Sequence, residues 1–219
     1  MFLGNIALAF AAKRAAPNAS LGALILAALL PDLIRTALLI PGIERVSFDS
    51  GGTAMSPIGF VSCPYSHSLL LVLVWAGLAA AVHQMRTRYR AGSIAVAALV
   101  VANWGLDWVV HVPDLPLLPG IGPKVGLGLG NVPSAAIPLE AALFFVGLML
   151  YLDQTRPVRW PGRFGLLGMI AFACFLFVGA SSGIAPSGRR VLVATSLATF
   201  ACVPWGAWVD RSRRIPRWT

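Results

Sequence analysis

Long apolar runs separated by short polar links dominate the chain, and their lengths predict its elements. Leu21 to Ile40, Ser66 to His83, Ala91 to Val112, Ser134 to Leu152, Phe164 to Ile184 and Val191 to Val209 are each close to the roughly 20 residues a helix needs to cross about 30 Å of hydrocarbon. The N-terminal run from Phe2 to Ala12 would extend only about 16 Å as a helix and is expected to be a half-span or an interfacial segment. It lacks the basic residues that precede a signal-peptide core, so it reads as retained. The expected fold class is all-α, a polytopic transmembrane helical bundle of six long spans plus a short N-terminal helix. Residues 1–219 form a single integral membrane domain, with the candidate site in 1–153 and two C-terminal spans and a basic tail in 154–219.

Three interruptions of this pattern carry information. Pro31, Asp32 and Arg35 fall in the second half of the Leu21 to Ile40 run. A proline there frees a backbone carbonyl and bends the helix, which membranes tolerate where the irregular backbone faces protein or a wet cavity. The link from Pro41 to Ser66, with Gly51, Gly52 and Pro57, is too rich in breakers to be helical throughout and is expected to cover another element. The link from Pro113 to Pro133 holds Asp114, Lys124 and the run GPKVGLGLG. No strand precedes that run, so it reads as a flexible link rather than a phosphate loop.

Composition fixes the class. With 58% hydrophobic and 11% charged residues and a mean hydropathy of +0.79, the 219-residue chain is an integral membrane protein. Its formal charge of +9 does not indicate nucleic acid, because the 17 basic residues sit mostly in short links and form no helical stripe with interleaved aromatics. Alternate links carry twelve basic residues in one set (Lys13, Arg14, Arg86, Arg88, Arg90, Arg156, Arg159, Arg163, Arg211, Arg213, Arg214, Arg217) and four in the other (Arg45, Lys124, Arg189, Arg190). Short basic links stay in the cytoplasm, so the N-terminus and both long links are expected outside and the C-terminus inside. Cys63, Cys174 and Cys202 have no CxxC spacing and define neither a disulfide framework nor a zinc knuckle.

Within that topology Asn5, Asp32, His67, Asp107, His111, Asp114 and Glu140 share the outer half of the bilayer or lie just outside it. Asp107 and His111, four residues apart, would lie on one face of a helix. An ionisable residue at that depth costs roughly 2.5–3.5 kcal/mol on insertion scales and usually has a partner or a pathway. Two imidazoles and two carboxylates from separate helices make a ligand set for a divalent ion, zinc first, with manganese or iron as harder choices. Catalytic zinc keeps a position for water and lowers its pKa toward about 7, and Glu140 or Asp114 would serve as base or orient an imidazole. Blander readings stand beside these. Asp107 with His111 would serve as a helix–helix polar contact, His67 as a helix cap, and Asp32 with Arg35 as an ion pair within one helix.

The series GNIALAFAAKRAAP, ALLPDL, PYSHSLLL, DWVVHVPDLPL and GLGLGN resembles the bacterial inner-membrane proteins described as LexA-regulated, membrane-bound predicted metal-dependent hydrolases, over roughly the first 150 residues. Their pattern combines an N-terminal histidine, a Pro-Asp pair, a Ser/Thr-His-Ser step and an Asp-x-x-x-His pair. The resemblance implies Asp32, His67, Asp107 and His111 as metal ligands in a multi-pass protein of the bacterial inner membrane. Asn5 stands at the position of the N-terminal histidine, and an amide oxygen is a weaker, neutral ligand. Gly130 stands where a bulkier aromatic is expected. The order of histidines and aspartates is also similar to that of zinc-dependent phospholipases C, which implies a phosphoester. The leading expectation is a metal-dependent hydrolase with membrane lipid around it and a lipid or lipid-linked substrate at the outer face. The competing expectations are a transporter or channel that uses the same residues as a pathway, and a structural membrane protein with a degenerate metal site. Nearly apolar inner halves of the spans favour a one-sided site over a pathway.

Overall fold

The computed structural model describes residues 1–47, 52–55, 58–120, 122–182 and 188–216, together with all but the side chain of Phe60. Gly51 and Pro57 of the first long link, Ile184 at the expected end of the fifth long span, and Arg217 lie outside the described residues. The chain is an all-α bundle. Five helical stretches are long and apolar enough to cross a membrane: α4 (Leu69–Thr87), α5 (Arg90–Val110), α6 (Pro133–Gln154), a fourth over Pro161–Ala180 that contains α7 (Leu166–Ala180), and a fifth over Arg189–Asp210. The fifth is α8 (Arg189–Phe200) followed by α9 (Cys202–Asp210). A bent pair, α2 (Leu21–Ala28) and α3 (Leu30–Leu39), whose axes meet at 57°, is long and apolar enough only when the two helices are taken together. The short helix α1 (Phe2–Ala15) precedes them.

The bend follows from Pro31. It has no N–H to donate to the carbonyl one turn earlier, and its ring crowds that carbonyl, so the helix breaks at Leu29 and restarts with Asp32 in its first turn. Asn103 of α5 stabilises the break by donating its side-chain amide to the Ala28 carbonyl at 2.9 Å. Ser20 begins α2 by accepting the Ala23 N–H on its hydroxyl at 3.1 Å.

The helix α1 is the centre of the bundle, not an interfacial segment. Leu3, Ile6, Ala7, Ala9 and Phe10 are buried, and Phe10 packs its ring against Phe144 and Tyr151 of α6 with centroids 6.0 and 5.1 Å apart. Gly147 of α6 lies so close to the Ala7 carbonyl that any side chain there would collide with α1. A second close crossing joins α2 to α9, where a Cβ on Gly22 would stand 2.6 Å from the Ala207 side chain. By contrast Leu73, Val74, Leu78, Phe145, Val146, Phe175 and Val178 are exposed on the long helices, as lipid-facing residues must be.

A polar clasp ties the ends of α1 and α9. Lys13 pairs with Asp210 at 2.6 Å and donates to the Ala19 carbonyl, while Asp210 also accepts from Leu21 N–H and Tyr151 Oη. At the other end the first long link folds into an antiparallel pair, β1 (Arg45–Ser47) with β2 (Gly59–Ser62). The second forms a two-residue pair, β3 (Leu115–Pro116) with β4 (Lys124–Val125), and a turn of 3₁₀ helix at Leu129–Asn131. The GLGLG run is not a free link. Leu127 and Gly128 donate to the Trp108 and His111 carbonyls at 2.8 and 2.7 Å, closing the C-terminus of α5, and a Cβ on Gly126 would strike the carbonyls of His111 and Val112. At Gly130 a Cβ would stand 2.6 Å from Thr53 Oγ1 and 2.9 Å from the Val110 carbonyl, so the expected aromatic has no room.

Candidate metal centre

Three segments deliver one ligand atom each to a common point. Asp32 enters from the first turn of α3, His67 from the residues just before α4, and Asp107 from the last turn of α5, and their ligand atoms all lie within 4.8 Å of one another. His67 Nε2 stands 3.4 Å from Asp107 Oδ2 and 3.9 Å from Asp32 Oδ1. Ligands about 2.1 Å from a tetrahedral ion are separated by roughly 3.4 Å, so the observed spacing suits a divalent cation without rearrangement of the backbone. His67 is fully buried, Asp107 nearly so, and Asp32 half-buried.

Each of the three residues has polar partners, and two of these, Arg35 and Met1, themselves line the cavity at the site. Asn103, one turn before Asp107 on α5, donates to Asp32 Oδ2 at 2.9 Å, and Arg35 donates to Asp32 Oδ1 at 2.8 Å. Trp104 Nε1 donates to the His67 carbonyl at 2.8 Å and fixes the backbone ahead of α4. The Met1 ammonium pairs with Asp107 Oδ1 at 3.0 Å. The Oδ1 atom of Asn103 is buried without a hydrogen-bond partner among the described residues, beside an amide nitrogen that already holds Asp32. The donor set itself, one imidazole and two carboxylates with ligand atoms within 4.8 Å of one another, fits a divalent cation.

Of the remaining sequence candidates, His111, Asp114 and Glu140 are not in the group of three ligand atoms, although His111 and Glu140 line the same cavity as Asp32 and Asp107. His111 does not stand on the helix face with Asp107: α5 ends at Val110, and His111 caps it with extended backbone (φ −70°, ψ 150°). Pro113 disfavours helical geometry at Val112, which ends the span early. The His111 ring instead lies with Nδ1 3.3 Å from Asp114 Oδ1, outside the group of three ligand atoms. Glu140 accepts Leu3 N–H at 2.7 Å and Gly4 N–H at 3.3 Å, two of the orphan donors at the start of α1, so its carboxylate anchors that helix end. Asn5 is buried one turn into α1, and its Oδ1 has no hydrogen-bond partner among the described residues.

A cavity of about 220 Å³ opens over Asp32 and Asp107, with His67 buried outside its lining. Asp32, Arg35, Asp107, His111 and Glu140 form its polar end, and Leu29, Val110, Phe177, Leu192 and Phe200 form apolar walls. A second cavity of about 210 Å³ has Asp114, Cys63 and Lys124 in its lining. Burial pushes the Cys63 thiol up to about 12, with the Arg35 charge working weakly against it, so Cys63 is not a nucleophile at neutral pH.

Sequence reasoning did not single out Glu44, Asn103 or Trp104. Asn103 could have been found, since it stands four residues before Asp107 and therefore shares its helix face. Glu44 is buried behind His67 and accepts from Tyr65 N–H at 2.9 Å and Ser66 N–H at 2.8 Å. The fold and the three-residue centre define a polytopic membrane protein with a group able to hold a metal ion. No protein-family model, curated protein or solved structure matches the chain.

Proposed function

We propose that this protein is a membrane-embedded metal-dependent hydrolase acting on a lipid or lipid-linked phosphoester at the outer face of the membrane. The observation that carries the proposal is the Asp32, His67 and Asp107 group, two of whose members, Asp32 and Asp107, line a cavity walled mainly by apolar side chains, with Ser181, Ser196 and Thr199 among them. A divalent ion held there would act as a Lewis acid and supply a nucleophile at neutral pH. One imidazole and two carboxylates suit zinc and leave a position open, and manganese or iron would also accept such oxygen-rich ligands.

The chain's own residues divide the remaining work. His111, steadied by Asp114, takes the proton of the attacking water, and the Asp114 carboxylate stabilises the resulting imidazolium. Arg35 faces the same cavity and offers its guanidinium to the anionic oxygens of a phosphoester. Phe177, Leu192 and Phe200 receive the hydrocarbon part of the substrate. The outward orientation is supported by the basic residues of the short links, which lie at the ends of α4, α5 and α6 remote from the site.

The test is hydrolysis of detergent-dispersed lipid phosphoesters by metal-loaded protein. Asp107→Asn is expected to abolish activity together with metal binding, whereas His111→Ala is expected to lower kcat by about 100-fold with metal content unchanged. Loss of metal from His111→Ala would return His111 to the ligand set. No turnover of any lipid phosphoester by fully loaded protein would overturn the proposal.

A further inference from the structure

Behind His67 runs a chain of three polar groups. Glu44 Oε2 lies 2.6 Å from Ser66 Oγ, and Ser66 Oγ lies 2.7 Å from His67 Nδ1, all of them buried. The direction of these hydrogen bonds follows from the number of protons available. A carboxylate only accepts, so the single hydroxyl proton of Ser66 goes to Glu44. Ser66 Oγ is then left as an acceptor, and the only proton the ring can offer it is Nδ1–H. With Nδ1–H committed to Ser66, the other ring nitrogen, Nε2, faces Asp107 Oδ2 at 3.4 Å and Asp32 Oδ1 at 3.9 Å, where a cation would take its lone pair in place of a proton.

We propose that Glu44 and Ser66 are positioning residues for a divalent cation: Glu44, acting through the Ser66 hydroxyl, holds His67 in the Nδ1–H tautomer so that Nε2 is ready to donate its electron pair. The inference rests on the reading of Asp32, His67 and Asp107 as a metal site. Its features are those of a built support. Histidine ligands of metals ordinarily donate their second nitrogen to a carboxylate or carbonyl, which fixes the ring and raises its basicity. Here the carboxylate is one hydroxyl further away. The loop itself does not need this leg, because Glu44 Oε1 already binds the backbone N–H groups of Tyr65 and Ser66. What Oε2 adds is a defined proton position on Ser66, and the group that senses it is the imidazole.

An isosteric change reverses the chain. In Glu44→Gln the amide oxygen keeps the two backbone N–H groups, which leaves the NH₂ facing Ser66 Oγ. Ser66 must then donate to His67 Nδ1, and the ring proton moves to Nε2, where it blocks the ligand position. Ser66→Ala removes the relay but leaves the Glu44 clasp on the loop, and Ser66→Thr restores a hydroxyl.

The experiment uses full-length protein labelled with ¹⁵N-histidine, in which only His67, His83 and His111 report. Long-range ¹H–¹⁵N spectra of the metal-free protein read directly whether His67 Nδ1 carries a proton. Cobalt(II) titration then reads affinity. We expect Nδ1–H at His67 in the wild type, no proton on Nδ1 in Glu44→Gln, and cobalt affinity weaker by about 10- to 100-fold in Glu44→Gln and Ser66→Ala, with Ser66→Thr close to wild type. A His67 Nδ1 without a proton in the wild type, or wild-type cobalt affinity in both Glu44→Gln and Ser66→Ala, would overturn the relay. If the wild type binds no cobalt, the metal reading falls, and the Nδ1 proton of Glu44→Gln against wild type still decides whether the relay orients His67.

Discussion

Asp107 is a carboxylate in the last turn of a membrane helix, and it is tolerated because other segments bring it partners. The Met1 ammonium, His67 Nε2 and the neighbouring Asp32 with its Arg35 all converge on that point. Nearby Cys63 shows the opposite device, a group kept neutral by burial. Its thiol pKa is raised from about 9 to about 12, so the folded protein holds the proton that the unfolded chain releases above pH 9. Cys63 therefore contributes stability that is fully present below about pH 9 and declines as pH rises toward 12. At pH 8 Cys63 is expected to resist maleimide in the folded protein and to react on unfolding, as mass spectrometry of the alkylated peptide would show. Labelling of native protein within minutes at pH 8 would contradict the burial. The convergence of Asp32, His67 and Asp107 into a group that could hold a metal ion was legible in the sequence because ionisable residues in apolar runs are costly and therefore conspicuous. Glu44 was not, since a carboxylate in a polar link costs nothing until the fold buries it. The spacing of Asp107 and His111 was also visible, but Pro113 ends the helix between the pair and turns His111 toward Asp114.

At the scale of elements, the five long helices and the bent pair were legible because bilayer thickness dictates a run of about 20 apolar residues, and each lies within a few residues of its expected bounds. The place of α1 was not. A helix that is apolar on every side has no face that distinguishes protein from lipid, and only the ring packing of Phe10 and the glycine at 147 reveal that it sits inside. Its inner end depends on the Lys13–Asp210 pair, whose side chains are 5% and 12% exposed. Asp210→Ala leaves the Lys13 ammonium buried with the Ala19 carbonyl, and the expected loss is about 3–5 kcal/mol in reversible unfolding from detergent. Replacing both residues together, as Lys13→Met with Asp210→Leu, is expected to recover most of that loss. A cost below about 1 kcal/mol for Asp210→Ala would mean that the pair behaves as a solvated surface bridge.

The whole molecule separates its two polar regions. The metal group lies at the end of the bundle where α5 finishes and α6 begins, and the Lys13–Asp210 clasp lies at the end where α1 and α9 finish. Between them Ile6, Ala9 and Phe10 of α1 are packed with 1% or less of their surface exposed. A conducting pathway needs polar groups through the full depth, so this apolar plug favours a one-sided site over transport. The walls of the cavity come partly from α7 and α8, beyond the stretch that carries the sequence resemblance, which makes the C-terminal spans part of the site and not an appendage. All of this turns on whether the three side chains hold an ion. The direct measurement is divalent-metal stoichiometry of the purified full-length protein after dialysis against zinc or manganese, with Asp107→Asn and His67→Ala in parallel. The account predicts one bound ion per chain in the wild type and none in either variant, with all three proteins folded by circular dichroism; a folded wild type without stoichiometric metal, or variants that retain it, would contradict the account.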